Sequence, residues 1–518
     1  MMRTVFLLFD SLNRLALSPY GGRHVPTPNF DRLARRAAVF DRHYVGSMPC
    51  MPARRDMQTG RLSFLHRSWG PLEPFDNSFP ELLYQKGVYS HLITDHAHYF
   101  EDGGATYHNR YDSFEFIRGQ EGDAWKAMVQ PHWERLREKY HPAQFSSERR
   151  NIKRQDAVNR EYIREEADFP SVQCFARGLE FLETNLYADD WFLQIETFDP
   201  HEPFTAPARF HDVIDTGWQG PVLDWPRYGR VDELPEECEE LRANYYRVIA
   251  LCDSLLGEVL DFFDRHDLWR NTALVLTTDH GFLLGEHDFW AKNRMNMYEE
   301  VAHIPLFIHH PHYPHAGGQR RETLTQTPDL AATFLDIHGA ARPPEMQGQS
   351  LLPVLEQERT LREGVLFGYF GGAVNVTDGR HTYHRYPENL SEQEIYQYTL
   401  MATHIRSRFS TEELADATLS SPFPFTKGAP LLRVPVIDTS PMYNNYGPGS
   451  LLEKETRLYD LTRDPGQLAP LNEPETARRL TALMTALMRH NDAPPEAYRR
   501  LGMAQPDETA TAGHPGQA

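Results

Sequence analysis

The chain has 518 residues, of which 40% are hydrophobic and 24% charged, and its formal net charge is -20 at pH 7. This is enough chain, with ordinary globular composition, for one large domain and a smaller one, or for two to four domains by length alone. The acidic balance argues against nucleic acid or an anionic membrane as the main partner, and no run of about 18 apolar residues predicts a membrane span. A small anionic substrate held by a few local cations remains compatible with this charge.

Cysteine usage and the N-terminus bear on location. The four cysteines, at positions 50, 174, 238 and 252, are few for this length; they do not suggest a disulfide framework, and their spacings match no zinc pattern. The apolar run of residues 5–9 is too short for the core of a signal peptide, and no small-residue cleavage site follows it. We therefore expect a cytoplasmic protein.

Apolar segments alternate with helical patterns along the first half of the chain. Residues 5–9, 88–93, 191–198 and 273–278 are typical of buried parallel strands, whereas 79–86, 172–187 and 241–263 have helical spacing. Polar residues follow each strand. Because ligands gather at the carboxyl ends of parallel strands, this pattern predicts a site there. The residues concerned are Asp10, His96, His98, His201, Asp279 and His280.

Three of these residues also have an ordinary structural interpretation. Asp10 could equally be a helix N-cap after its strand. Histidines such as His96 and His98 are more often core or surface residues than ligands. His201 differs, because in Asp199-Pro200-His201-Glu202-Pro203 it lies between two prolines at the end of a strand, a poor place for a core histidine.

The stretch Ser47-Met48-Pro49-Cys50-Met51-Pro52-Ala53-Arg54 places a thiol and a guanidinium within five residues. If a helix begins near Pro52, Cys50 lies at its N-terminus, where backbone N–H groups and the helix dipole favour negative charge. Arg54 lies one turn further along and can face the same anion. The alternative for a lone cysteine is a small buried hydrophobic residue.

Three motifs together resemble the formylglycine-dependent (type I) sulfatases of the alkaline phosphatase superfamily, close to arylsulfatases and phosphonate monoester hydrolases. The first is Cys50-x-Pro52-x-Arg54 followed by Thr59-Gly60-Arg61. The second is DPHEP at residues 199–203, and the third is TTDHGFLLGEHDFWAKNRMNMYEE at residues 277–300. The resemblance runs from residue 5 to about residue 472, apart from insertions near 120–167 and 387–449.

The resemblance implies an α/β fold like that of alkaline phosphatase. Residues 1–360 would form the catalytic domain, a large mixed sheet flanked by helices, and 361–505 a smaller C-terminal domain with an antiparallel sheet. Short strands are predicted at 364–370, 373–376 and 381–385, and loops with one helix over 387–449. Residues 506–518 lack apolar content and are expected to be disordered.

In such a sulfatase one divalent metal ion would be held by Asp10, Asp279, His280 and Cys50, the last oxidised to formylglycine. The oxygen-rich set favours Ca²⁺, and His280 leaves Mn²⁺ as the alternative. The family often carries a second acid after its first Asp, where this chain has Ser11.

The implied catalytic residues are Cys50, Arg54, His201 and Lys292. The hydrated aldehyde would attack sulfur or phosphorus and His201 or Lys292 would protonate the alcohol, while Arg54 and Lys292 offset the charge of the other oxygens. Many sulfatases have Gly-Lys-Trp-His, which contacts the sulfate, where this chain has His96 and His98. These two residues are the candidates for substrate binding.

The implied activity is that of a sulfuric ester hydrolase, which cleaves a small anionic sulfate monoester into sulfate and an alcohol. A formylglycine-generating or anaerobic sulfatase-maturating enzyme would be its modifying partner. Two alternatives stay open: a phosphonate monoester or phosphodiester hydrolase on the same scaffold, and a non-catalytic protein with unmodified Cys50. Aryl, carbohydrate and alkyl sulfates are not distinguished, and a homo-oligomer stays open.

Overall fold

A computed structural model describes residues 2–390, 393–445 and 447–505. The predicted disordered tail, 506–518, lies outside these residues. The strands are β1 Arg3–Phe9, β2 Ala38–Tyr44, β3 Tyr89–Thr94, β4 Ser113–Phe116, β5 Trp191–Thr197, β6 Gly229–Arg230, β7 Thr272–Thr278, β8 Leu283–Leu284, β9 Phe289–Ala291, β10 His303–His309, β11 Arg320–Arg321, β12 Thr325–Gln326, β13 Val365–Gly368, β14 Val374–Thr377, β15 His381–Arg385, β16 Tyr396–Thr399, β17 Thr418–Ser420, β18 Leu431–Pro435 and β19 Arg457–Asp460. The α-helices are α1 Pro28–Arg36, α2 Cys50–Thr59, α3 Phe79–Lys86, α4 Trp133–Lys139, α5 Ile152–Asn159, α6 Pro170–Thr184, α7 Pro235–Arg265, α8 Glu299–Ala302, α9 Asp329–Ile337, α10 Leu352–Glu356, α11 Thr411–Leu414, α12 Pro441–Asn444, α13 Pro474–His490 and α14 Pro495–Arg500.

The centre of the molecule is a large mixed sheet with the order β11-β2-β10-β7-β1-β5-β3-β4, in which β12 also pairs with β2. β1 is parallel to both β5 and β7, and β10 is antiparallel to β7 and β2. The register places Phe9 opposite Thr197 on one side and Thr278 on the other. The three central strands therefore end at the same level, and the residues that follow them meet at one edge.

Both faces of this sheet are covered by helices. Val5, Leu7 and Phe9 of β1 point into a core shared with α1, α6 and α7, while Phe6 and Leu8 point into a core shared with α3 and α9. Alternate side chains of a strand face opposite sides, so a strand buried on both sides must be apolar throughout. This explains the continuous apolar runs and confirms the predicted α/β class.

A smaller antiparallel sheet, with the order β13-β14-β15-β19, follows in the chain. α13 packs on it through Leu480, Met484 and Met488, which share a core with Val374 and Val376. The strands predicted over 364–385 and the predicted antiparallel C-terminal sheet are thus confirmed. The domain boundary near residue 360 stays a prediction.

The loops predicted over 387–449 are a point where the sequence interpretation was wrong. This segment contains a three-stranded antiparallel sheet, β16-β18-β17, and the short helices α11 and α12. Each strand has only three to five residues and is partly exposed, so it leaves little apolar alternation in the sequence. Within the described ranges, no helix combines the length and apolar character needed to cross a membrane.

Candidate active site

Two acidic residues meet at the edge where the central strands end. Asp10 follows β1 and Asp279 follows β7, and both side chains are fully buried. Ser11, at the position of the family's second acid, links them: its backbone N–H donates to Asp279 Oδ1 at 3.1 Å and its hydroxyl to Asp10 Oδ1 at 2.8 Å. The parallel register of β1 and β7 is what brings these two carboxylates together from distant positions in the chain.

The cysteine loop leads into α2, which begins at Cys50 itself rather than near Pro52. Cys50 is therefore the first residue of the helix and not a residue that precedes it. The loop is fixed by Asp56, whose carboxylate accepts hydrogen bonds from the backbone N–H groups of Ser47, at 2.7 Å, and Ser63, at 2.9 Å. These bonds hold the start of α2 against the end of the sheet.

Asp10, Cys50, Asp279 and His280 form one buried cluster, in which a potential ligand atom of each lies within 4.8 Å of those of the others. Cys50 Sγ lies 3.3 Å from His280 Nε2, and that nitrogen lies 3.5 Å from Asp279 Oδ2. His280 Nδ1 lies 2.9 Å from the carbonyl oxygen of Gly281, which can only accept, so Nδ1 carries the proton and Nε2 faces the cluster. The structure thus brings together all four residues that the resemblance assigns to the metal.

The electrostatics of the cluster fit a cation. Burial and, next, the neighbouring charge of Asp10 raise the pKa of Asp279 to about 7, although Arg54 and Lys292 act in the opposite direction. Burial also opposes the charged form of Asp10, but Arg54, His201 and Lys292 outweigh it and hold the pKa of Asp10 well below its usual value. Two buried carboxylates this close repel each other, and a divalent cation between them would relieve that repulsion.

Arg54 is the most heavily paired side chain of the site and is 1% exposed. Its Nη1 donates to Asp279 Oδ2 at 2.5 Å and to the Cys50 carbonyl at 3.1 Å, and its Nη2 donates to Asp10 Oδ2 at 3.0 Å. Its Nε donates to Glu196 Oε1 at 2.6 Å. Burial opposes the charge of Arg54, but Glu196, Asp279 and Asp10 outweigh it and raise the pKa of the guanidinium well above its usual value.

Sequence reasoning missed Glu196. The available signal was an acidic residue inside the otherwise apolar strand β5, because a charged side chain is almost never buried without a partner. The partner itself, Arg54, is 142 positions away and could not be named from that signal.

Lys292 and His201 lie on the other side of Asp10. Lys292 Nζ donates to Ser11 Oγ at 2.8 Å and is 3.9 Å from Asp10 Oδ1. His201 Nδ1 lies 2.7 Å from the carbonyl oxygen of Glu202 and so carries the proton, and burial lowers the pKa of the ring. Among the described residues, His201 Nε2 has no hydrogen-bond partner.

The two histidines after β3 differ in placement. His96 is fully buried, with Nε2 3.6 Å from Asp10 Oδ2, and neither ring nitrogen has a hydrogen-bond partner in the part of the chain that the structure describes. His98 instead lies behind it: Nδ1 is 2.6 Å from Glu101 Oε2, and its ring centroid is 5.1 Å from that of His96. The structure thus brings His96 to the cluster and leaves His98 as its neighbour.

Comparison with known proteins agrees with this geometry. The chain matches the sulfatase family model over residues 3–340 and a model described as N-sulphoglucosamine sulphohydrolase, C-terminal, over residues 285–396. It is similar to the N-acetylglucosamine-6-O-sulfatase of Bacteroides thetaiotaomicron, with 25% identity over 403 residues that cover 68% of this chain and 71% of the relative.

Two solved structures share the fold along nearly the whole chain. BT4656 in complex with its substrate D-glucosamine-2-N,6-O-disulfate has a TM-score of 0.64 at 16% identity and covers 96% of this chain and 99% of its own. The phosphonate monoester hydrolase of Agrobacterium radiobacter has a TM-score of 0.64 at 18% identity and covers 95% of this chain and 96% of its own. Since the family model spans more than half of the chain, this protein belongs to the sulfatase family of the alkaline phosphatase superfamily and is an enzyme of that family.

Proposed function

We propose that this protein hydrolyses a sulfate monoester by means of a formylglycine derived from Cys50 and one divalent cation. The observation that supports the proposal most directly is the buried cluster formed by Cys50, Asp10, Asp279 and His280. A cysteine that was only a core residue would not need two carboxylates and an imidazole around its sulfur.

The donor set supports a hard or borderline cation. Asp10 and Asp279 offer carboxylate oxygens and His280 offers one nitrogen, so Ca²⁺ is the first choice and Mn²⁺ the second. A bound cation would supply Lewis-acid charge for the attacking oxygen and for the sulfate.

Modification would give Cys50 a role that a thiol cannot fill. A hydrated aldehyde would supply one oxygen to attack sulfur and a second hydroxyl through which sulfate is released. Cys50 is 3% exposed in the folded chain, so a formylglycine-generating or anaerobic sulfatase-maturating enzyme would have to act before folding is complete. The modifying enzyme would therefore recognise the loop as an extended segment.

The remaining residues position and neutralise the substrate. Arg54 lies one turn after Cys50, and Lys292 lies beside Ser11, so both can offset charge on the oxygens of the sulfate. His96, whose two ring nitrogens have no hydrogen-bond partner among the described residues, can hydrogen-bond to the same group.

His201 is the proposed proton donor to the leaving alcohol. Its Nδ1 is anchored on the Glu202 carbonyl, which leaves Nε2 for the bridging oxygen. Burial lowers the pKa of His201 in the free site, whereas the negative charge of a bound sulfate ester acts in the opposite direction. The ring would therefore take up its proton when the anionic substrate is bound.

Hydrolysis of phosphonate monoesters or phosphodiesters is the second candidate, favoured by the equal TM-scores to the two solved structures. The test is a comparison of kcat/KM for an aryl sulfate and for the matching aryl phosphonate ester on the same metal-loaded preparation. A higher value for the sulfate supports the proposal, and a higher value for the phosphonate replaces it with the second candidate. Activity toward neither, with Cys50 unmodified, would favour the non-catalytic alternative.

A further inference from the structure

Glu196 is paired with the site through Arg54. It lies on β5, with Oε1 2.6 Å from Arg54 Nε, while Oε2 accepts hydrogen bonds from Tyr99 OH at 3.0 Å and from Gln194 Nε2 at 2.9 Å. Gln194 in turn accepts one from Tyr111 OH at 2.6 Å. All of these side chains are buried, so the carboxylate is fixed on a central strand with its hydrogen bonds satisfied.

The three carboxylates that pair with Arg54 are not equivalent. Asp10 and Asp279 also belong to the buried cluster, whereas Glu196 is not among the clustered ligand atoms. A cation in that cluster and the guanidinium therefore compete for Asp10 and Asp279, and both carboxylates use Oδ2 for Arg54. Of the three carboxylates that pair with Arg54 in the described part of the chain, Glu196 is the one that would not also bind the cation.

A guanidinium stays charged at any pH that a protein tolerates, and a buried charge without a partner is costly. If a cation were coordinated by Asp10 and Asp279, these carboxylates would pair less strongly with Arg54, and Arg54 would need another counter-ion. We infer that Glu196 is a positioning residue that holds Arg54 by its Nε and so leaves Asp10 and Asp279 free for a divalent cation. The negative charge of Glu196 also weakens the attraction between the Arg54 guanidinium and the anionic substrate.

This inference rests on the proposed function for the identity of the cation and the anion. Its test is Glu196→Gln, which keeps the shape and removes the charge. Without that charge, Arg54 pairs more strongly with Asp10 and Asp279, so the dissociation constant for Ca²⁺, measured by calorimetry on metal-free protein, should rise about tenfold. At saturating Ca²⁺, inorganic sulfate should bind more tightly, by about threefold, because a negative charge near Arg54 has been removed.

The inference predicts weaker binding of Ca²⁺ but tighter binding of sulfate. A general loosening of the site would instead weaken the binding of both ions. Weaker binding of both ions, or no change in either, would overturn the inference. If the unsubstituted protein binds neither Ca²⁺ nor sulfate, the proposed function fails instead, so the two failures are distinguishable.

Two variants serve as controls. Asp76→Asn removes the buried carboxylate that accepts from Arg55 Nε at 2.9 Å, one position along α2 and away from the cluster. Tyr99→Phe removes a hydrogen bond to Glu196 but keeps its charge. Both should leave the dissociation constants for Ca²⁺ and sulfate within about twofold of the original values. A tenfold change in either control would show that packing, not the charge of Glu196, is responsible.

If Glu196→Gln alone does not fold, the test uses the double variant Arg54→Gln/Glu196→Gln, in which both charges are removed. Its dissociation constant for Ca²⁺ is measured by calorimetry. It lacks both the competitor and its counter-ion, so it should bind Ca²⁺ at least as tightly as the unsubstituted protein. Binding about tenfold weaker would overturn the inference.

Discussion

The carboxylate of Asp56 fixes the cysteine loop, and its burial lowers the free energy of unfolding by an amount that depends on pH. It is fully buried and accepts hydrogen bonds from Ser47 N at 2.7 Å, Ser63 N at 2.9 Å and Ser63 Oγ at 2.9 Å. Burial outweighs these bonds and raises the pKa of Asp56 from 3.8 to about 7. We therefore predict that Asp56→Asn changes how the stability of the protein depends on pH.

The sign follows from the direction of this shift. A raised pKa means that the folded protein binds the proton on Asp56 more tightly than the unfolded chain does. The protonated carboxyl therefore contributes fully to the free energy of unfolding below pH 3.8, and this contribution is lost as pH rises through about 7. At about 1.4 kcal/mol for each pKa unit, the shift from 3.8 to about 7 corresponds to about 4 kcal/mol. About 2 to 3 kcal/mol of this stabilisation is lost between pH 5 and pH 7.

The assay is urea unfolding of the original protein and of Asp56→Asn at matched pH values from 5 to 8. Other titrating groups cancel in the difference between the two free energies of unfolding. That difference should move in favour of the variant by about 2 to 3 kcal/mol as pH rises from 5 to 7, because the asparagine does not titrate. A difference that stays constant with pH, or moves in favour of the original protein, would refute this reasoning.

Three further predictions concern the reaction. Cys50→Ala should reduce turnover of an aryl sulfate to background without changing the circular dichroism spectrum, and near-normal activity would contradict the role of Cys50. Asp279→Asn should lower both the bound metal, measured by atomic emission on purified protein, and the activity; a variant that is active without metal would remove the metal assignment. His201→Ala should lose about 10²- to 10⁴-fold in kcat, with the loss growing along a series of aryl sulfates with poorer leaving groups. Equal losses across the series would exclude His201 as the proton donor.

Local patterns were enough to predict the central strands and the edge at which the polar residues meet. Residues 5–9 and 273–278 are apolar throughout because β1 and β7 are covered on both faces. The parallel register then brings Asp10 and Asp279 together, as expected for residues at the carboxyl ends of neighbouring strands. The grouping of Cys50 with them was implied by the family resemblance, since spacing alone cannot show which strand end a loop faces.

What could not be predicted depends on contacts between distant segments. The pairing of Glu196 with Arg54 joins a strand to a helix, and no local pattern encodes it. His96 and His98 lie two residues apart with similar surroundings in the sequence, yet only the turn after β3 decides that the first faces Asp10 and the second Glu101. The short strands β16, β17 and β18 are similarly defined by pairing with one another rather than by their own apolar content.

The central claim is that Cys50 is converted to formylglycine, and mass spectrometry of the tryptic peptide that carries it tests this claim most directly. The protein should be prepared in a host that has a formylglycine-generating enzyme. We predict a peptide about 18 Da lighter than the thiol form, with the difference localised to Cys50 by fragmentation. A peptide that carries only the unmodified thiol, in a preparation that nevertheless hydrolyses sulfate esters, would contradict the account.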